Sequence, residues 1–530
     1  MEVIMAQDLP ESKVEKDQFA KLKLIREQSK LGGGEKRIAA QHEKGKMTAR
    51  ERVDALLDKG SFQELNGLKL NRHTEFGLDK DKIPGDGMVA GFGTINGRKV
   101  CIYSQDFTVM GGSFGEVAGE KVARVMDLAM EAGVPVIGIN DGGGARIQEG
   151  IYSLYAYGEV FYRNVQASGL VPQISVIMGP CAGGGVYSPA LQDFIIMTQG
   201  MGNMYITGPE VIKAVTNEIV THEDLGGAAT HTTISGVAHF LGQDQAHTFD
   251  IVRKILEYIP DNNASTTRVL QTNDNPFRAD KELNTIVPLD PNETYDIKEV
   301  ITRVVDVDSF FEVHANFATN AVVGFARLNG ESVGIAANQP ASMAGVLDIN
   351  SSDKIARFVR FCDAFNIPVI AFVDTPGFMP GTHTEHNGII RHGAKILYAF
   401  SEATVPKISV VTRKAYGGAY IVMGSKHLRA DMAFAWPNAE IAVMGAGGAV
   451  NILHGRSLKE LSPEEAKSKR KELVADYEDK FSNPYRAAAA GYIDEVIVPS
   501  ETRQRLITAL DLLRNKQSTS PAKKHGNIPL

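Results

Sequence analysis

Residues 179–188 read GPCAGGGVYS, and their three consecutive glycines close an apolar run at 174–178, ISVIM. Such a run predicts a buried strand, and glycines at its end let the main chain approach a ligand and turn N–H groups towards it. Residues 408–425, ISVVTRKAYGGAYIVMGS, repeat the pattern, with Gly417-Gly418-Ala419 standing where Gly183-Gly184-Gly185 stand. Upstream of each turn a further apolar run ends in an aspartate followed by Gly or Pro: Asp141-Gly-Gly-Gly144-Ala145-Arg146 in one, Asp374-Thr-Pro-Gly377 in the other. Main-chain N–H groups at such turns suit an oxyanion hole, which stabilises the oxygen of an enolate or a tetrahedral intermediate. Two such holes suit a reaction in which two carbonyl oxygens become anionic in turn. The plain alternative is a pair of tight strand-to-helix turns.

Side chains offer weaker candidates. Residues 111–115, GGSFG, match the nucleophile-elbow pattern around Ser113. The apolar strand before them ends at Ser104, however, and the intervening residues read as a loop. Cys181 sits beside the glycine turn where a nucleophile could stand, but no local signature supports reactivity and it reads as a small buried hydrophobe. Asp141 and Asp374 fit either acid–base work or the capping of the turns that follow them. Lys36, Arg37, Lys44, Lys46, Arg50 and Arg52 lie in a charged, helix-prone stretch interrupted by Gly32-Gly33-Gly34, and read as a solvated helical hairpin or a surface for a phosphorylated ligand. Gly91-Phe-Gly93 and Gly445-Ala-Gly447 lack the third glycine of a dinucleotide fingerprint, and no phosphate-binding loop of the GxxxxGK type occurs. The histidines show neither HxxxH nor HExxH spacing, so no metal is expected.

The elements that position these residues are written twice. Gly97, Lys121 and Pro135 each stand 233 residues before Gly330, Lys354 and Pro368; Pro172 and Gly183 each stand 234 before Pro406 and Gly417. Chance similarity between apolar strands does not hold register over that span, so the chain is a duplicated α/β domain. In each copy twin alternating strands lead to a helix, a buried strand, a second helix and a second buried strand. The expected domains are 1–265 and 266–530, with the Asn-, Asp- and Pro-rich stretch 260–296 as the linker. The polar tail from Lys516 is expected to be extended.

Composition bounds the function. Of 530 residues 43% are hydrophobic and 22% charged, with a net charge of −7 and no basic stripe of the kind nucleic acid requires. Three cysteines without a CxxC pair exclude zinc ribbons and redox dithiols. No apolar run is long enough to span a bilayer, so no membrane insertion is expected. Glu2, Asp8, Glu11, Glu15 and Asp17 argue against a secretion signal or an acid-poor transit peptide, which makes the cytoplasm the expected compartment.

Residues 105–113 (QDFTVMGGS), 141–150 (DGGGARIQEG), 179–189 (GPCAGGGVYSP), 391–394 (RHGA) and 414–423 (KAYGGAYIVM) resemble the carboxyltransferase subunits of biotin-dependent acyl-CoA carboxylases, the propionyl-CoA carboxylase β type most closely. The resemblance covers essentially the whole chain and extends to transcarboxylase 12S subunits and methylmalonyl-CoA decarboxylase α subunits, which run the reverse half-reaction. It implies two crotonase-like domains assembled as a hexamer. It also implies biotin held on a partner, a coenzyme A thioester as substrate, and ATP used only by a partner biotin carboxylase. By the same likeness the oxyanion holes are Gly183-Gly184 and Gly418-Ala419, with the acyl-CoA side in the first half and the biotin side in the second. Gly143, Gly144, Ala145 and Ile421 then line the substrate, and Lys36, Arg37 and Arg52 reach coenzyme A phosphates. Propionyl-specific relatives typically carry Asp after GGAY; Ile421 here implies acetyl-CoA as well as, or in place of, propionyl-CoA.

Overall fold

A computed structural model describes residues 17–80, 82–518 and 520–530; the acidic positions 2, 8, 11 and 15 lie outside the described residues. The chain divides into two compact units, residues 1–257 with 261–264, and residues 258–260 with 265–530.

Unit 1 is built on one eight-stranded sheet. Its strands are β1 (Gln63–Glu64), β2 (Met88–Ile95), β3 (Arg98–Gln105), β4 (Val136–Gly142), β5 (Gln173–Ala182), β6 (Phe194–Thr198), β7 (Asn203–Tyr205) and β8 (Phe240–Gly242). The order is β1-β2-β3-β4-β5-β6-β8, with β7 beside the end of β5. The β2–β3 hairpin closes through Asn96-Gly97, both in the left-handed region, at φ 50 and 75. That is the two-residue turn whose twist matches the strands. From β3 onward pairing is parallel, and helices Glu116–Ala132 and Ile151–Ala167 make the crossovers into β4 and β5. Every residue of β4 is buried, as a strand covered on both faces must be.

Unit 2 repeats this design with β9 (Phe311–Val313), β10 (Ala321–Leu328), β11 (Glu331–Asn338), β12 (Val369–Thr375), β13 (Lys407–Tyr416), β14 (Met432–Ala435), β15 (Glu440–Ala442) and β16 (Glu495–Val496). The order β9-β10-β11-β12-β13-β14-β16, with β15 on β13, matches the first sheet strand for strand. The hairpin turn is again Asn-Gly, Asn329 and Gly330 at φ 52 and 81.

The stretch 260–296 is irregular apart from one short helix, Leu283–Ile286, yet from residue 265 it is fixed to unit 2. Leu283, Val287 and Tyr295 enter that unit's core, and the Arg278 guanidinium donates to the carbonyls of Arg303 and Val305. At the other end, Thr48 caps helix Ala49–Leu56 in a reciprocal box with Glu51.

Each copy buries a lysine at the same register. Lys354 lies on helix Ile349–Ala364, is 2% exposed and donates to the carbonyls of His314, Phe317, Ala318 and Ala321 at 2.7–3.3 Å. Lys121 donates to the carbonyls of Gly85 and Met88.

Candidate active site

The first glycine turn is built where main chain meets main chain. Pairing of β4 with β5 slips between Asn140 and Gly142, which brings Gly142 opposite Cys181. A Cβ on Gly142 would stand 2.2 Å from the Gly112 carbonyl oxygen, and one on Gly112 would stand 2.1 Å from that of Asp141. Only glycine allows that contact. The Phe114 amide donates to the Gly144 carbonyl (2.8 Å), and the Arg146 amide donates to that of Phe114 (2.9 Å). Gly144, at φ +97, lies against the Ala182 carbonyl, so the loop 143–145 sits beside the turn at 183–184. Gly183 has φ +60, and no side chain caps the turn.

Two supports hold this loop and turn. Beneath Gly184 and Gly185 lies the Tyr157 ring, stacked on Phe114 at 4.5 Å and on Phe161 at 5.7 Å. Below the loop, buried Arg146 pairs with Asp86 (2.7 Å) and Glu149 (2.8 Å), and Glu149 also accepts from the Glu116 amide (2.6 Å). Sequence reasoning missed both supports. The Arg146/Glu149 spacing within DGGGARIQEG was the available signal for the second; nothing marked Tyr157.

The second turn follows the same plan. Gly345 abuts the Asp374 carbonyl, the Leu347 amide donates to Gly377 (3.0 Å) and the Met379 amide donates to Leu347 (2.8 Å), each bond at the position equivalent to its counterpart in unit 1. Gly417 takes φ +54, with its Cβ position 2.8 Å from the Val443 carbonyl. Gly418 is exposed, and its Cβ position meets no atom within 4 Å. Ala419 is 1% exposed.

The aspartates one residue before the ends of β4 and β12 are wholly buried members of ion pairs. Neither caps the turn after it nor faces solvent as an acid or base. Asp374 is held by Arg413 (3.0 Å) and by the Lys414 amide (3.2 Å). Asp141 is held by Arg52 at 2.8 Å.

The carboxyl transferase domain family matches residues 40–528. The chain belongs to that family. Among relatives, it is 56% identical to the propionyl-CoA carboxylase carboxyltransferase subunit of Haloferax mediterranei over 97% of this chain and 99% of that one. It is 54% identical to the methylmalonyl-CoA decarboxylase subunit α of Veillonella parvula, over 94% and 96%. It superposes on a transcarboxylase 12S structure, described as a hexamer with methylmalonyl-coenzyme A bound, with TM-score 0.95 at 50% identity, over 99% and 100% of the two chains. The duplicated crotonase-like α/β architecture expected from the sequence is the one observed.

In this carboxyltransferase the charged N-terminal segment divides. Lys36 and Arg37 are exposed, Arg37 donating to the Thr108 carbonyl at 3.1 Å. Arg52, expected at a phosphate, is instead 1% exposed, its donors spent on Asp141, Gln245 and the Met178 carbonyl. Ile421 is half-buried on the helix Gly417–Val422 that follows the second turn. Ser113 accepts from Arg146 Nε at 3.2 Å, which makes it part of a loop anchor and leaves it without the histidine contact a nucleophile requires among the bonds described for it. Among the described residues no cluster of three or more His, Cys, Asp or Glu side chains could hold a metal, and no helix is long and apolar enough to cross a membrane.

The three cysteines are buried thiols. Burial pushes Cys181 up to about 12, with the Asp141 charge adding to it, and Cys101 up to about 11; Cys362 is also well above its ordinary value. Since the thiolate is the reactive form, almost none is present at pH 8. Iodoacetamide at that pH is expected to label none of the three in the folded protein and all three after denaturation, as counted by mass spectrometry. Labelling of Cys181 in the folded protein with loss of turnover would restore it as a nucleophile.

Proposed function

We propose that this carboxyltransferase is the component of a biotin-dependent acyl-CoA carboxylase that moves a carboxyl group from carboxybiotin to the α-carbon of propionyl-CoA and/or acetyl-CoA. The observation that carries the reading is the duplicated glycine turn, one at the end of β5 and one at the end of β13, each uncapped by a side chain. Bound biotin supplies the carboxyl group and a ureido nitrogen that takes the α-proton of the thioester. The residues present fit such a group, because open space stands over Gly418 where any other residue would carry a side chain.

The chain's own part is to hold charge. N–H groups of Gly183-Gly184 and of Gly418-Ala419 would hold two carbonyl oxygens, that of the thioester, which becomes anionic in the enolate, and that of biotin. Gly143, Gly144 and Ala145, beside the first turn, position the thioester, and Lys36 and Arg37 meet coenzyme A phosphates. Ile421 lines the acyl pocket with an apolar surface, in keeping with a range that includes acetyl-CoA. No side chain serves as general base in this scheme, which agrees with the buried, paired state of Asp141 and Asp374.

Biotin and the ATP-dependent biotin carboxylase belong to partners, the assembly is a hexamer of this chain, and the compartment is the cytoplasm. The reverse half-reaction of a decarboxylase or transcarboxylase would use the same turns. The test is the purified chain with methylmalonyl-CoA or malonyl-CoA and free biotin. Biotin-dependent loss of the carboxyl group is expected from both, the ratio of the two rates measuring the acyl range. A folded oligomer with no such loss would overturn the reading.

A further inference from the structure

The two copies solve one electrostatic problem by different means. Asp141 and Asp374 occupy the same place, the penultimate position of β4 and β12, and both are fully buried. A buried carboxylate needs a cation and hydrogen-bond donors close by. In unit 2 the neighbouring strand provides them: Arg413 pairs with Oδ2, the Lys414 amide donates to Oδ1, and the Arg413 guanidinium is fixed by the carbonyls of Asp290 and Glu293. In unit 1 the corresponding positions on β5 are Gly179 and Pro180. Proline has no N–H to give, and a Cβ at Gly179 would stand 1.7 Å from Asp141 Oδ1, so no arginine can stand there. Asp141 Oδ1 accordingly has no hydrogen-bond partner among the described residues.

The missing cation comes from far away in sequence. Arg52, on helix Ala49–Leu56, places Nη1 on Asp141 Oδ2 at 2.8 Å and Nη2 on the Met178 carbonyl at 3.1 Å. Gln245 accepts from Arg52 Nε and from the Met47 amide, and donates to the Gly45 carbonyl, which locks the segment before that helix. Gln41 Nε2 also faces Asp141 Oδ2, at 3.4 Å. One guanidinium thus bridges the ends of β4 and β5, where their register slips, and immediately beyond lie the 143–145 loop and the turn at 183–184.

We propose that Arg52 is the positioning residue of the first glycine turn, acting through Asp141 and the Met178 carbonyl, and that the N-terminal segment 41–52 is a strut the first half-site needs and the second does without. The inference rests on the proposed function, in which the turn at 183–184 is an oxyanion hole. Displacing that turn weakens interactions made in the transition state, so kcat falls while substrate affinity is largely kept.

The test uses the full-length oligomer in the biotin-dependent decarboxylation of methylmalonyl-CoA, well below the thermal midpoint of each variant. Arg52→Ala is expected to lower kcat roughly 100-fold, the order of one lost oxyanion donor, with KM for the thioester within about threefold. Guanidinium chloride at tens of millimolar is expected to recover at least about tenfold of that loss, filling the vacated site, whereas potassium chloride of equal ionic strength recovers none. A merely structural role predicts a lower thermal midpoint with no guanidinium-specific gain in kcat, and that result overturns the proposal, as does an unchanged kcat. Should Arg52→Ala fail to fold, the double variant Arg52→Met/Asp141→Asn removes the pair without stranding a buried charge. A lowered kcat there supports the strut and a wild-type kcat overturns it. A wild-type chain without turnover overturns the proposed function and this inference together; an active wild type with an equally active Arg52→Ala overturns the inference alone.

Discussion

Gly418→Val is expected to lower kcat by about 10²- to 10³-fold while leaving the thermal midpoint within about 2 °C of wild type. The two halves of that expectation come from separate observations. A Cβ at Gly418 meets no atom within 4 Å and the residue is not in the left-handed region, so a side chain costs the fold little. The same open space is where the proposed oxyanion would sit, and a branched side chain there excludes it. The neighbouring glycine is the control for the first half: Gly417 has φ +54 and its Cβ position lies 2.8 Å from the Val443 carbonyl, so Gly417→Val is expected to destabilise the fold itself. Ser113→Ala is the control for the second half, with kcat expected within about threefold of wild type. Steady-state decarboxylation and differential scanning calorimetry measure both. An active Gly418→Val would remove the second turn from the chemistry, and an inactive Ser113→Ala would restore Ser113 as a candidate nucleophile.

Lys354→Met is expected to cost about 3 kcal/mol and to lower the thermal midpoint of unit 2 by roughly 6–12 °C, seen as a shifted calorimetric transition. Four carbonyls converge on that ammonium, and two of them belong to His314 and Ala318, non-glycine residues held at φ 55 and 46. Left-handed backbone at such residues persists only where the surroundings enforce it. Methionine fills the same volume without a donor, so the carbonyls lose their partner in a site that water does not reach. Lys121, with two carbonyl acceptors, is expected to show the smaller loss on the same change. An unchanged transition for Lys354→Met would mean that the loop before β10 is held by its other contacts alone.

The duplication, the twin strands and the glycine turns were legible because they depend on local sequence: alternation, glycines at the end of an apolar run, and a register that chance cannot keep. What escaped was long-range. Arg52 stood out as one cation among several in a charged stretch, and nothing local distinguishes a solvated arginine from one that crosses 89 positions to a buried aspartate. A signal did exist in the comparison of the copies, since Gly179-Pro180 standing at the positions equivalent to Arg413-Lys414 means a charge lost from one half that must be supplied from elsewhere. Tyr157 carried no such mark: an aromatic on an amphipathic helix looks the same whether it fills a core or floors a turn.

Both proposed holes are made of main chain, and every residue has the same main chain. Chemistry placed there is insulated from most substitutions, which alter side chains and leave N–H groups where the strands put them. Selection can therefore reshape the proposed acyl wall at Ile421 without reopening the question of how charge is held. A scaffold of this kind lets substrate choice drift while the reaction stays fixed.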